Sequence, residues 1–150
     1  MKDAKPLRLT ARDAQDLLVV SACLQDAITR RAELVYRPRQ HRFAATFNRF
    51  RWESGSAGER PAERVRAGVH FDSVLRVQTR ELGADPDELL QLLAIRADER
   101  EDGVAELLLE FAGSGSVRLE VECIDCYLSD LGEPWPARRT PKHPATERDE

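Results

Sequence analysis

Cys123-Ile124-Asp125-Cys126 is the spacing in this chain with the clearest chemical potential. Two thiols three residues apart can exchange with a disulfide or ligate a soft metal, and a strand-to-helix junction at this point would lower a thiol pKa through helix-terminal amides. Other features oppose that reading. A zinc site needs four ligands, and the sequence has no second CxxC and no His pair; a thioredoxin-like site needs a βαβ context. By alternation Cys123 shares a face with Leu119 and Val121, where cysteine behaves as a small hydrophobe. Cys123 and Cys126 are therefore the candidate redox pair, with a structural role expected and no metal or cofactor.

The histidines are His41, His70 and His143, none at metal-ligand spacing. His70 and Asp72 fall on one face of a strand and could form a small acid/base pair, for which a surface hydrogen bond is the plainer expectation. Gly113-Ser114-Gly115 lacks the Lys of a phosphate-binding loop and reads as a turn. Glu106, Glu110, Glu120 and Glu122 share one face of a hairpin. That face could bind a cation or a basic partner, or simply be solvated.

The remaining constellation is basic. Arg37, Arg39 and Arg42 surround a hairpin turn, and Arg49 and Arg51 alternate with Asn48, Phe50 and Trp52. Arginines interleaved with aromatics on strands can grip an anionic ligand or single-stranded RNA through phosphate contacts and stacking. If Phe50 and Trp52 are core residues, the stacking platform is lost.

Composition bounds the rest. A chain of 150 residues with 41% hydrophobic and 33% charged residues suits one packed domain rather than a disordered segment. No stretch reaches the roughly 20 apolar residues that span a bilayer, and the opening MKDAKPLRLT has no apolar signal region. Three cysteines without a scaffold pattern fit a reducing compartment, so the expected location is cytoplasmic. The net charge of −4 hides an asymmetry: residues 1–80 carry 16 Lys+Arg against 9 Asp+Glu, and residues 81–150 carry 7 against 18.

The elements that must position these residues follow from periodicity. Thr10 and Asp13 resemble a capping box for a helix over about Ala11–Ala27, with Ala14, Leu17, Leu18, Ser21, Leu24 and Ile28 as its apolar stripe. From Arg31 the period becomes two. Strands are expected over 31–37 and 42–52, with a β-bulge near Asn48-Arg49 to return Phe50 and Trp52 to the core. Further strands are expected over 64–71, 74–77, 89–97, 105–111 and 117–123. For 89–97 strand is preferred over helix. Ile124–Leu131 has helical spacing, and Gly132 suits a left-handed cap, which predicts a short closing helix. The predicted domain covers residues 7–132 with an exposed loop at 54–63, and 133–150 reads as a disordered tail.

The fold class expected is α+β: an antiparallel sheet or partly closed barrel of about seven strands with one helix at each end. That element order resembles the pleckstrin-homology-like barrel. The stretches HRFAATFNRFRWE, RVRAGVHFDSVLRV, LLQLLAIRA and VRLEVECIDCYLSDLG, in this order, resemble the uncharacterised bacterial domain-of-unknown-function family 2948 over most of residues 7–140. The resemblance implies a bacterial protein without assigned activity, cofactor or functional residues, and it favours a strand at Leu89–Ala97. The function expected from the residues is a non-catalytic protein-interaction module; the alternatives are anionic-ligand or RNA binding through the arginine-rich hairpin and, least favoured, a thiol-dependent enzyme.

Overall fold

In a computed structural model, which describes residues 5–54 and 63–137, Asp13 starts the one α-helix found among them, α1 (Ala14–Cys23). The Asp13 carboxylate accepts the Asp16 amide at 2.7 Å and so satisfies one of the orphan donors of the first turn. The cap is thus Asp13 rather than Thr10, because Thr10 is already extended in β1 (Arg8–Ala11). The buried stripe is Leu17, Val20 and Leu24; Leu18 is 64% exposed, and Ile28 belongs to the next strand. The helix stops where Asp26 turns left-handed and donates its amide to the Leu92 carbonyl.

Among the described residues ten strands form one antiparallel sheet. After β1 come β2 (Ile28–Arg30), β3 (Leu34–Arg37), β4 (Arg42–Phe50), β5 (Glu63–Phe71) and β6 (Val74–Arg80). Then follow β7 (Leu89–Glu99), β8 (Ala105–Phe111), β9 (Ser116–Val121) and β10 (Cys126–Pro136). The spatial order is β1-β10-β5-β4-β2-β7-β8-β9-β6, with β3 paired to β4 beside β2. The seven strands expected from period-two patterning are β3 to β9, and 89–97 lies within β7 as a strand. The three further strands β1, β2 and β10 bring the number to ten.

The short closing helix expected at 124–131 is instead β10. Its sequence satisfies both periods, but Cys126 and Leu128 are buried in alternation while β1 and β5 supply backbone partners on both sides. Pairing on two edges outweighs a few helical spacings. Gly132 is left-handed as expected, at φ 82°, but at a break in register between Leu131 and Trp135. Without that helix the pleckstrin-homology-like order is not formed by the described residues.

The bulge expected near Asn48-Arg49 is also absent, since β4 runs against β5 in unbroken register from Phe43↔Phe71 to Phe50↔Arg64. Alternation therefore continues through Phe43, Ala45 and Phe47 to Arg49, all buried. Phe50 is buried on the opposite face, where the Arg64 guanidinium lies 3.9 Å from its ring centroid and Trp52 meets it edge-on.

The sheet folds back on itself through a corner. Asp72-Ser73 joins β5 to β6, with Ser73 left-handed at φ 60°, and residues 122–125 join β9 to β10. The two connections bond each other: the Asp72 amide to the Asp125 carbonyl, and the Glu122 amide to the Ser73 carbonyl, both at 2.9 Å. One core fills the fold, with Leu107, Leu109, Leu119, Val121 and Phe71 among its fully buried residues. Each large side chain there contributes about 1.5–3 kcal/mol by leaving water. Residues 55–62 of the loop expected at 54–63 lie outside the described residues. Of the expected tail, 133–136 belong to β10, and 138–150 lie outside the described residues.

Candidate functional site

The corner gathers residues that the sequence kept apart. Asp72 Oδ1 accepts Arg42 Nε at 2.7 Å and lies 3.3 Å from His70 Nδ1. Across the strands, the His70 ring stacks on Tyr127 with centroids 4.9 Å apart. Asp125 holds Arg12 in an ion pair at 3.5 Å, and its hydrogen bond to Tyr127 holds that phenol above its ordinary pKa. The hydrogen bond to Asp72 likewise raises Arg42. Two carboxylates thus orient two guanidiniums, an imidazole and a phenol, and the charges cancel largely within the group.

Beneath this corner the CxxC is split. The chain leaves β9 at Val121, one step before alternation would carry Cys123 inward, so Cys123 is exposed. Cys126 is fully buried opposite Phe71 in β5. Burial pushes its thiol up to about 12, reinforced by Asp125 and Asp72. No helix begins here to stabilise a thiolate, so the junction effect expected from sequence does not operate. Among the described residues no group of three or more His, Cys, Asp or Glu is arranged to hold a metal ion.

The five arginines of the expected binding hairpin are dispersed. Arg37 and Arg39 are exposed at the turn Pro38–Gln40, and Arg42 joins Asp72. Arg51 pairs with Glu63. Arg49 is 0% exposed, and every guanidinium N–H has a partner. Nε and Nη2 bond the two oxygens of Asp130 at 2.9 and 3.0 Å; Nη1 and Nη2 bond Glu53 at 3.0 and 2.7 Å; Nη1 also bonds the Phe50 carbonyl at 3.0 Å. Burial alone would lower its pKa, but the two carboxylates hold it above the ordinary value. Glu53 is drawn below its own, the Arg49 hydrogen bond overriding desolvation. This cage is structural, since no donor remains for a ligand.

On the acidic hairpin face Glu110 pairs with Arg96 and Glu106 with Arg100; Glu120 lies between Glu106 of β8 and Arg76 of β6 in register, and Glu122 has left the strand for the corner. A different basic group stands at the end of the sheet, where β6 pairs β9 on one edge and no described strand on the other. Arg76 and Arg80 of β6 share a face with Arg118, which lies on β9 opposite Gln78. All three are exposed, and none forms an ion pair among the described residues. The alternation of Arg76, Gln78 and Arg80 was visible in sequence; their position at a free edge depends on pairings more than 35 residues away.

The family model described as "Protein of unknown function (DUF2948)" matches residues 7–143, so the chain belongs to that family. No curated protein and no solved structure matches it. Among the described residues no helix is long and apolar enough to cross a membrane.

Proposed function

We propose that this member of a family without an assigned activity is a non-catalytic module that binds another protein along the free edge of β6. The observation carrying this reading is the strand itself: seven residues that end the sheet, with only Val74 buried and the backbone groups of one edge unclaimed beyond the His41 contact to Val74. Sheet edges of this kind are covered, kept very short or used as templates for a partner strand. The other terminal strand, β1, has four residues and leads directly into α1. Free thiols at Cys23, Cys123 and Cys126 support a reducing compartment such as the cytoplasm.

The chemistry-bearing groups support a binding role by being spent on one another: Arg49 in its cage, Arg42 and His70 on Asp72, and Cys126 held as a thiol. Testing requires the full chain and a variant with Thr79→Pro, which interrupts the edge at an exposed position. The module reading expects a stoichiometric partner on the wild type that is lost from the folded variant. Equal retention by both, or loss of cellular function on Cys123→Ser in the folded protein, would contradict it. A second reading, anionic-ligand or RNA binding through Arg37, Arg39 and Arg42, is supported by the exposure of Arg37 and Arg39; it expects salt-sensitive retention on heparin.

A further inference from the structure

We infer that the partner segment taken by β6 is an extended peptide alternating acidic and apolar residues, a conclusion that rests on the edge reading above. Two faces of β6 define the two requirements. On the outer face, Arg76 and Arg80 flank Gln78; on β9, Arg118 lies across from Gln78, Glu120 across from Arg76 and Ser116 across from Arg80, so three arginines face one carboxylate. On the neighbouring hairpin Arg96 pairs with Glu110, and Arg100 beyond β7 pairs with Glu106, whereas Arg76, Arg80 and Arg118 make no ion pair among the described residues. An added strand brings every second side chain to this face, within reach of Arg76 and Arg80. Carboxylates at those positions would meet Arg76 and Arg80 from the side opposite β9, where Glu120 and Ser116 leave the arginines in excess.

The opposite face asks for apolar side chains. Val77 is half-buried against the core, and Leu75, at the break in register with β9, is 46% exposed. The intervening residues of an added strand project to this side and cover Val77 and Leu75. Main-chain bonds would supply affinity, and the two faces would supply specificity.

A second copy of this chain fits the edge less well. Antiparallel pairing of β6 with itself about Val77 sets Arg76 against Gln78 and places arginines of both copies diagonally on one face, without a carboxylate on either strand. Like charges at that spacing oppose association, the usual means by which edges are protected from self-pairing.

The test titrates the full chain with a fluorescently labelled peptide of alternating glutamate and valine and with the matching lysine–valine peptide, read by anisotropy. The proposal expects the glutamate peptide to bind in preference, to weaken with salt, and to lose roughly tenfold in affinity on Arg76→Glu with Arg80→Glu, both exposed positions outside the core. Binding of the lysine peptide in preference, weakened by Thr79→Pro, would overturn the acidic partner while leaving the edge reading standing. Failure of both peptides would overturn the edge as a docking site. Glutamate-peptide binding indifferent to the arginine reversal would also overturn the proposal, as would a concentration-dependent dimer abolished by Thr79→Pro.

Discussion

Arg49 and Asp130, 81 residues apart in sequence, meet through two parallel hydrogen bonds with both side chains withdrawn from solvent. Asp130 in turn accepts the Leu7 amide at 2.8 Å, and its own amide bonds the Leu7 carbonyl. One guanidinium therefore joins β4 to β10 and, through Asp130, to the entry of β1. Removing one member of a buried pair leaves the other charge uncompensated, at a cost of about 3–5 kcal/mol. Arg49→Met is expected to destabilise by this amount in urea denaturation. Asp130→Asn should cost less, because Glu53 still pairs with Arg49. A loss below about 1 kcal/mol for Arg49→Met would contradict the cage.

Thiol chemistry should separate the two cysteines. At pH 8 the exposed Cys123 is expected to react with a thiol reagent in the native protein, and Cys126 only after unfolding. Burial holds the Cys126 proton well above the ordinary thiol value of 9.0, to about 12. The folded state therefore binds a proton that the unfolded state loses at high pH. The associated stability is fully present below pH 9.0 and declines as pH rises from there toward about 12. The denaturation midpoint should fall over this range, and Cys126→Ala should flatten the dependence. Equal native reactivity of both thiols would contradict the assignment.

The corner depends on Ser73 in the left-handed region at φ 60°. Ser73→Gly is expected to be neutral or mildly stabilising, and Ser73→Val to destabilise by about 1–2 kcal/mol, read from thermal and urea midpoints. Equal midpoints for the two variants would show that the corner does not constrain this residue.

Asp13 caps α1 through the Asp16 amide. Asp13→Ala should cost about 1 kcal/mol, whereas Thr10→Ala should cost little, since Thr10 is an exposed residue of β1. The reverse ranking in denaturation would restore the capping box read from sequence.

Much of the fold was legible because period-two patterning is a local signal: β8 and β9 alternate cleanly, and 89–97 was a strand by its apolar run. What escaped was decided by distant partners. The segment from Ile124 to Leu131 carries two periods at once, and only its place between β1 and β5 selects the strand. Arg49 looked like a ligand-binding arginine because nothing local reveals that Asp130 waits at the matching depth. His70 and Asp72 were read correctly as neighbours on one face, since that relation spans two residues. Their coupling to Tyr127 and Arg42 requires the corner. The edge position of β6 was invisible for the same reason: an unpaired strand is defined by the order of the whole sheet.

The central claim is that the free edge of β6 receives a partner strand, and backbone amide exchange across Leu75–Arg80 measures it most directly. In the free protein these amides should exchange faster than those of β8, which is paired on both edges. On saturation with the alternating glutamate–valine peptide, exchange in β6 should slow while β1 and β3 remain unchanged. Unaltered exchange in β6, or protection confined to another strand, would contradict the account.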